Sequence, residues 1–270
     1  MSDQPATGDG ILSEMTIDEV KRFDPETVVF GLGSTEPHGP HLPYGTDVTQ
    51  TEAVCRRAVT RANERDARAL MYPTLPIGNN VNFKEYPFAC RIGVRTLMDV
   101  VLDVIEAVEA EGIQKVVLVN GHGGNTATLK ATLREHAGRN APGGGAFVCL
   151  ASTFQSVPDD ITDRIEHPSD HAGEEETSRM LHLRPDLVRE SEFDAFPRQE
   201  PIIERLNSDG AYFVPPWHGY MPESAGGETA ESSAEKGELL IDGAADWIAE
   251  LLVELQGADV DALFPYPVEE

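Results

Sequence analysis

The chain has 270 residues, 40% of them apolar, enough for one large domain with an ample core. Its 47 acidic and 21 basic residues give a formal net charge of −26, which repels nucleic acid and anionic membrane and so excludes both as partners. No stretch approaches the roughly 18 consecutive apolar residues that span a bilayer, no basic-then-apolar leader opens the chain, and Cys55, Cys90 and Cys149 lack metal or redox spacing, so a cytoplasmic protein with reduced thiols is expected. Only five of the basic residues are lysines. Acidity combined with this apolar content fits the solvated surface of a halophile better than it fits disorder.

In chain order, residues 1–10 read as a flexible tail. Leu12 to Phe23 reads as a short helix, with Thr16 as N-cap and Glu19 three residues on completing a capping box. The β-branched run Thr27 to Leu32 is a first strand. It runs into Gly33-Ser-Thr-Glu36-Pro-His38-Gly-Pro-His41-Leu-Pro-Tyr-Gly-Thr-Asp47, two carboxylates and two imidazoles on a backbone stiffened by prolines. Pro37 biases Glu36 toward extended backbone, so Glu36 and His38 point the same way while His41 falls out of phase. Asp47 precedes a helix over Val48 to Arg65 and is placed to fold back over the same space. The stretch reads either as a two-metal ligand set or as a proline-rich turn with a capping aspartate.

A second strand is expected over Ala69 to Ile77, followed by a polar, aromatic loop from Gly78 to Phe88 of the kind that walls a pocket. Apolar spacing predicts a helix from Val94 to Glu111, then a buried strand over Lys115 to Val119. That strand ends in Asn120-Gly-His122-Gly123-Gly124-Asn125, before a helix over Thr126 to Ala137. A histidine at the carboxyl end of a parallel strand stands where open α/β sheets bind ligands, and His122 is read as a ligand rather than as part of a phosphate-holding turn. A fourth strand, Ala146 to Ala151, leads to Asp170-His171-Ala-Gly-Glu174-Glu175-Glu176-Thr-Ser at a helix start, where acids also suit the helix dipole. Asp186 to Gly210 reads as irregular. Phe213 to Gly219, with Trp217, is a second loop able to close over a pocket. A final helix, Ser233 to Leu255, carries Leu239, Leu240, Ala244, Trp247, Ile248 and Leu251 on the face expected to dock across the sheet.

Taken together, the Glu36–Asp47 stretch, Asn-Gly-His122-Gly-Gly-Asn, His171-Ala-Gly-Glu174-Glu-Glu176-Thr-Ser and Ala234-Glu-Lys236-Gly-Glu resemble the creatininase (creatinine amidohydrolase) family from about Ile11 to Leu255. The resemblance implies an α/β fold, three-layer α/β/α with a mostly parallel central sheet, in one domain over residues 11–257 with a C-terminal tail over 258–270. It also implies a centre of two divalent metal ions, a homo-oligomer in which a hexamer is one option, and hydrolysis of an amide-type C–N bond in a small molecule. Glu36 and His122 would hold one ion, His38 the other, and Asp47 would bridge them; His171 and Glu176 match the catalytic positions. Asn120, Gly123 and Asn125, with Tyr86 and Trp217 from the two loops, are the expected substrate contacts.

The sequence departs from the creatininase pattern at two places. Gly124 stands where creatininase proper has a glutamate ligand, and Glu174 is the carboxylate expected to replace it. Tyr86-Pro-Phe-Ala-Cys-Arg91 replaces a His-rich segment, which argues against creatinine as substrate. Carboxylate and imidazole donors without thiolate suit Zn²⁺, Mn²⁺ or Fe²⁺. Within the hydrolases, the same motifs resemble relatives that deformylate a pyrimidine nucleotide, with Arg91 and Arg95 available to a phosphate, and relatives that trim a peptide-derived redox cofactor. A non-catalytic metal scaffold is also compatible with the ligand set. A serine hydrolase built on Ser34 fits less well, since no Gly-x-Ser-x-Gly elbow is present.

Overall fold

Four strands form the central sheet: β1 (Thr27–Leu32), β2 (Ala69–Leu75), β3 (Lys115–Asn120) and β4 (Phe147–Ser152), all parallel in the order β2-β1-β3-β4. The computed structural model describes residues 9–141, 143–167, 171–208 and 210–267. Parallel neighbours need crossovers, and helices supply them. After α1 (Ile17–Phe23), α2 (Thr46–Asn63) links β1 to β2, α3 (Val94–Ala110) links β2 to β3, and α4 (Thr126–Arg139) links β3 to β4. The short α5 (Asp159–Thr162), then α6 (Glu174–Leu183), α7 (Trp217–Tyr220) and α8 (Ala234–Leu255) follow, with a two-residue antiparallel pair formed by β5 (Ala195–Phe196) and β6 (Gly227–Glu228).

Strand alternation sorts the core into two layers. Val28, Phe30, Leu32, Val116 and Leu118 face α3 and α4, packing on Leu97, Val101, Ile105 and Leu129. Val29, Val117 and Val119 face α2 and α8, packing on Val54, Val59, Leu240, Ala244 and Ile248. This is the expected three-layer α/β/α fold with a mostly parallel sheet. The Thr16–Glu19 capping box is present. Pro73 is tolerated because β2 is an edge strand, which ends before Pro76.

Several expectations shift. The helix after the metal-like stretch starts at Thr46, so Asp47 lies in its first turn rather than ahead of it. Trp247, expected on the docking face of α8, is 48% exposed. In the expected N-terminal tail, residues 1–8 lie outside the described residues, while Gly10 is buried and its carbonyl accepts from Met71 N at 2.7 Å. In the expected C-terminal tail, Phe264 packs edge-on against Phe147 of β4. Asp170 lies outside the described residues. The arginines on the outer face of α2 meet acids of α8, with Arg57 and Arg61 on Asp242, Arg61 on Asp246 and Arg65 on Glu250.

From β1 the chain passes to β2 on one side, and later strands continue on the other through β3. The carboxyl ends of β1 and β3 therefore flank the point where strand order reverses, where such sheets leave a crevice.

Candidate metal centre

Glu36 and His38 lie just beyond β1, His122 just beyond β3, and Asp47 in the first turn of α2. Two close approaches bring these together. A Cβ on Gly33 would stand 2.9 Å from Val48 Cα, and one on Gly121 would stand 1.9 Å from Thr51 Oγ1. Glycine at both positions lets α2 begin directly over the ends of β1 and β3, which drops Asp47 between Glu36 and His122. α6 contributes Glu176 from its first turn, and the turn before it contributes His171.

All six side chains are buried: Glu36 1%, His38 0%, Asp47 2%, His122 6%, His171 6% and Glu176 8% exposed. Their ligand atoms converge in three groups, Glu36–Asp47–His122, His38–Asp47–Glu176 and Glu36–His38–His171. Asp47 belongs to the first two, one oxygen to each. Its Oδ1 is 3.0 Å from His38 Nε2 and its Oδ2 is 3.1 Å from His122 Nδ1. His122 Nδ1 is also 3.2 Å from Glu36 Oε2; His38 Nε2 is 3.8 Å from Glu176 Oε2, and His171 Nδ1 is 3.8 Å from Glu36 Oε1.

The outer nitrogens fix the tautomers. His38 Nδ1 donates to the Glu36 carbonyl at 3.0 Å, His122 Nε2 to the Asn79 carbonyl at 3.3 Å, and His171 Nε2 to the Pro37 carbonyl at 2.9 Å. A carbonyl only accepts, so each ring spends its N–H outward and turns a lone pair toward the carboxylates. Lone pairs of imidazole and carboxylate at 3 Å repel unless a cation stands between them. Asp47 Oδ2 is moreover a buried oxygen without a hydrogen-bond donor, and the ion-pair partners of these three carboxylates are imidazoles. Three buried acids and inward-facing imidazoles around a shared aspartate fit a pair of divalent cations, and fit poorly with none.

Without metal, protons take that place. Burial alone would lower His38, but Asp47 and Glu176 outweigh it and push its pKa up to about 10. His122 is likewise raised, against its burial, by Glu36 and Asp47. Burial raises the Glu176 carboxyl, whereas Asp47 is held low despite burial by His38 and His122. His171 goes the other way: burial, with the neighbouring His38 cation adding to it, drives its pKa well below the ordinary value.

The expected relocation of the missing ligand to Glu174 is not what the structure shows. Glu174 is wholly buried, but its carboxylate takes Lys236 Nζ at 2.6 Å and the backbone N–H groups of Glu166 and His167 at 3.2 and 2.7 Å. About 200° of helix separates Glu174 from Glu176, so the two face opposite sides of α6 and Glu176 alone joins the cluster. Gly124 has a steric reason. A Cβ there would meet the Asn79 carbonyl at 2.4 Å and His122 Nε2 at 2.5 Å, so this backbone leaves no room for a side chain.

A cavity of about 260 Å³ opens onto the cluster, lined by Glu36, Asp47, Gly121, His122, Gly123, Phe154, His171, Glu175 and Glu176. Gly123 is the one expected substrate contact in this lining. Asn120 grips His122 through both the backbone N–H and carbonyl, and Asn125 bonds Asn79 N and the Gly33 carbonyl. Both amides are spent on holding the loops. Tyr86 donates to the Met221 carbonyl at 2.6 Å, and Trp217 stacks on Phe83 and stands edge-on to His171, so the two loops form an aromatic wall behind that histidine. His41 stacks on Phe196 and bonds Thr177, apart from the cluster. Ser34 is fully buried with Oγ near Glu36 Oε2 and Asn80 Oδ1, away from the cavity. Phe154 and Glu175 were not legible as lining residues; the only sequence signal was an acid four residues before Arg179.

A family model described as creatininase, creatinine amidohydrolase, matches residues 13–252. A mycofactocin precursor peptide peptidase of Mycolicibacterium smegmatis is 33% identical over 69% of this chain and 70% of its own. The creatinine amidohydrolase of Pseudomonas putida is 30% identical over 83% of this chain and 87% of its own. Among solved structures, one described as a creatinine amidohydrolase of Bacteroides fragilis superposes with a TM-score of 0.83 at 28% identity, covering 93% of this chain and 98% of that one. A manganese form of creatininase superposes at 0.74 with 25% identity, covering 92% and 99%.

Proposed function

The chain is a hydrolase of the creatininase family, and from that membership we propose that it hydrolyses an amide-type C–N bond of a small molecule with two divalent metal ions. The observation that carries this reading is the pair of ligand triads sharing Asp47. Glu36, Asp47 and His122 would hold one ion, and His38, Asp47 and Glu176 the other, which in this proposal makes Glu176 a ligand rather than a purely catalytic acid. When bound, such a pair supplies hydroxide near neutral pH and polarises the scissile carbonyl.

The remaining work falls to protein groups. His171 stays neutral at neutral pH because burial depresses its pKa. Its Nδ1 faces the cluster while Nε2–H is anchored on the Pro37 carbonyl. In the proposed cycle Nδ1 takes a proton from the attacking water and returns it to the leaving nitrogen, which cannot depart as an amide anion. The Phe83–Trp217 wall holds the ring in that orientation. The Asn79 carbonyl does the same for His122.

Arg91 and Arg95 do not line the cavity, and Arg91 is turned to the Lys84 carbonyl, so nothing favours the nucleotide alternative. No helix among the described residues is long and apolar enough to cross a membrane. The proposal extends to one catalytic domain over residues 11–257, a cytoplasmic homo-oligomer, and a surface adapted to high salt, the last supported by the net charge of −26. Elemental analysis together with a panel of formamides and cyclic amides tests the site. Two equivalents of Zn, Mn or Fe are expected in the wild type, about one in Glu176→Gln and close to none in Asp47→Ala. A wild-type protein that binds one ion or none would sink the binuclear reading.

A further inference from the structure

Eight of the nine residues lining the cavity are accounted for as ligands, as His171, as backbone or as the apolar Phe154. The ninth is Glu175, a carboxylate outside every ligand triad. Its side chain keeps 21% of its surface exposed, and its Oε1 accepts from Arg179 Nη2 at 2.7 Å, one turn along α6. Arg179 is fully buried, yet it is not a generic surface partner. The same Nη2 donates to the Thr153 carbonyl at 3.0 Å, and the guanidinium lies 4.6 Å over the ring of Phe154, the neighbouring wall residue. One buried cation thus clamps two adjacent pieces of the cavity wall from behind. What the pair presents to the cavity is the acid, because the arginine has no exposed surface.

From this geometry we infer that Glu175, braced by Arg179, is a specificity-determining residue that accepts N–H donors of a cationic substrate group, an amine or guanidine, beside the scissile bond. The inference rests on the amidohydrolase reading for its reaction, and it narrows the substrate class. A fixed acceptor costs little ordering when it engages a donor. A phosphate or carboxylate placed against Glu175 would meet a carboxylate whose own cation, Arg179, has no exposed surface to receive it, and so would be disfavoured at this wall.

The test uses the zinc-loaded protein and two probes of one shape, methylguanidinium and N-methylurea, whose methyl signals report binding by ligand-observed NMR. Neither needs to be hydrolysed. Methylguanidinium should bind the wild type about tenfold more tightly than N-methylurea, the scale expected for one partly solvated charge contact. In manganese-loaded protein its methyl signal should broaden selectively, which places it beside the ions. Glu175→Gln should bring the affinity ratio close to one while leaving the zinc content and the N-methylurea affinity unchanged. Equal affinities in the wild type overturn the assignment, an outcome that does not depend on whether the variant folds. A preference that survives in Glu175→Gln also overturns it, because the attraction then comes from the acidic surface at large. Hydrolysis of neutral amides without a probe preference sinks this assignment alone; a preference without any amide hydrolysis sinks the amidohydrolase reading alone.

Discussion

Glu174→Gln separates a structural carboxylate from the proposed metal ligand two residues away. Glu174 has no exposed surface, and the side chain of Lys236 is 18% exposed, with Nζ 2.6 Å from Oε1. At that separation and an effective dielectric of ~20, the gross attraction is on the order of 6 kcal/mol. Lys236 loses hydration to make the pair, and glutamine, with one acceptor oxygen, keeps only one of the Glu166 and His167 amides, which meet different carboxylate oxygens, so the net loss of stability should be about 3 kcal/mol. Burial opposes ionisation of Glu174, but the Lys236 contact and the two amides overcome it and hold its pKa below the ordinary value. A depressed carboxylate stabilises the fold above its unfolded pKa and stops doing so as pH falls through the folded value. The difference between wild type and variant should therefore be full at pH 7 and vanish in acid. Urea denaturation at both pH values, with elemental analysis at pH 7, checks this. The loss of one metal equivalent, or an unchanged denaturation midpoint at pH 7, would refute the assignment of Glu174 to Lys236.

Gly124→Glu should not restore a ligand, because its Cβ would meet the Asn79 carbonyl at 2.4 Å. Thermal unfolding should instead reveal destabilisation of about 1–3 kcal/mol, the usual cost of overpacking, and metal content should not rise. Loading two zinc ions at pH 7 should release about two to three protons, since His38 and His122 are raised in the metal-free protein, Glu176 is raised to about 7, and ligands bind deprotonated; calorimetry in buffers of different ionisation enthalpy reads the number. With His38 at about 10 against 6.5 unfolded, its contribution is complete below pH 6.5 and lost as pH rises through 10. The melting temperature of the metal-free protein should accordingly fall from pH 6.5 to pH 10, and metal loading should flatten that slope. His171→Ala should keep two ions and lower kcat by about 10²–10⁴; turnover at the wild-type rate would remove His171 from proton transfer.

Local pattern determined much of this protein. Short β-branched and apolar runs placed all four sheet strands, and period-3.6 apolar spacing the long helices, to within a few residues, because burial on both faces of a strand or one face of a helix is written into the order of side chains. Glu36, His38, Asp47 and His122 were also legible, since each follows a strand end or opens a helix, and proline and glycine there restrict the backbone to few shapes. What the chain order could not decide was which acid of Glu174-Glu175-Glu176 does what. Three consecutive helical residues point in directions about 100° apart, and their roles depend on what other elements bring to each side. Lys236 comes from α8, 62 residues beyond Glu174, the Asp47 cluster from the first half of the chain, and Phe154 from the loop after β4. Only the packing of α6 between α8 and the ends of the sheet gave one glutamate to a lysine, one to the cavity wall and one to the candidate metal centre.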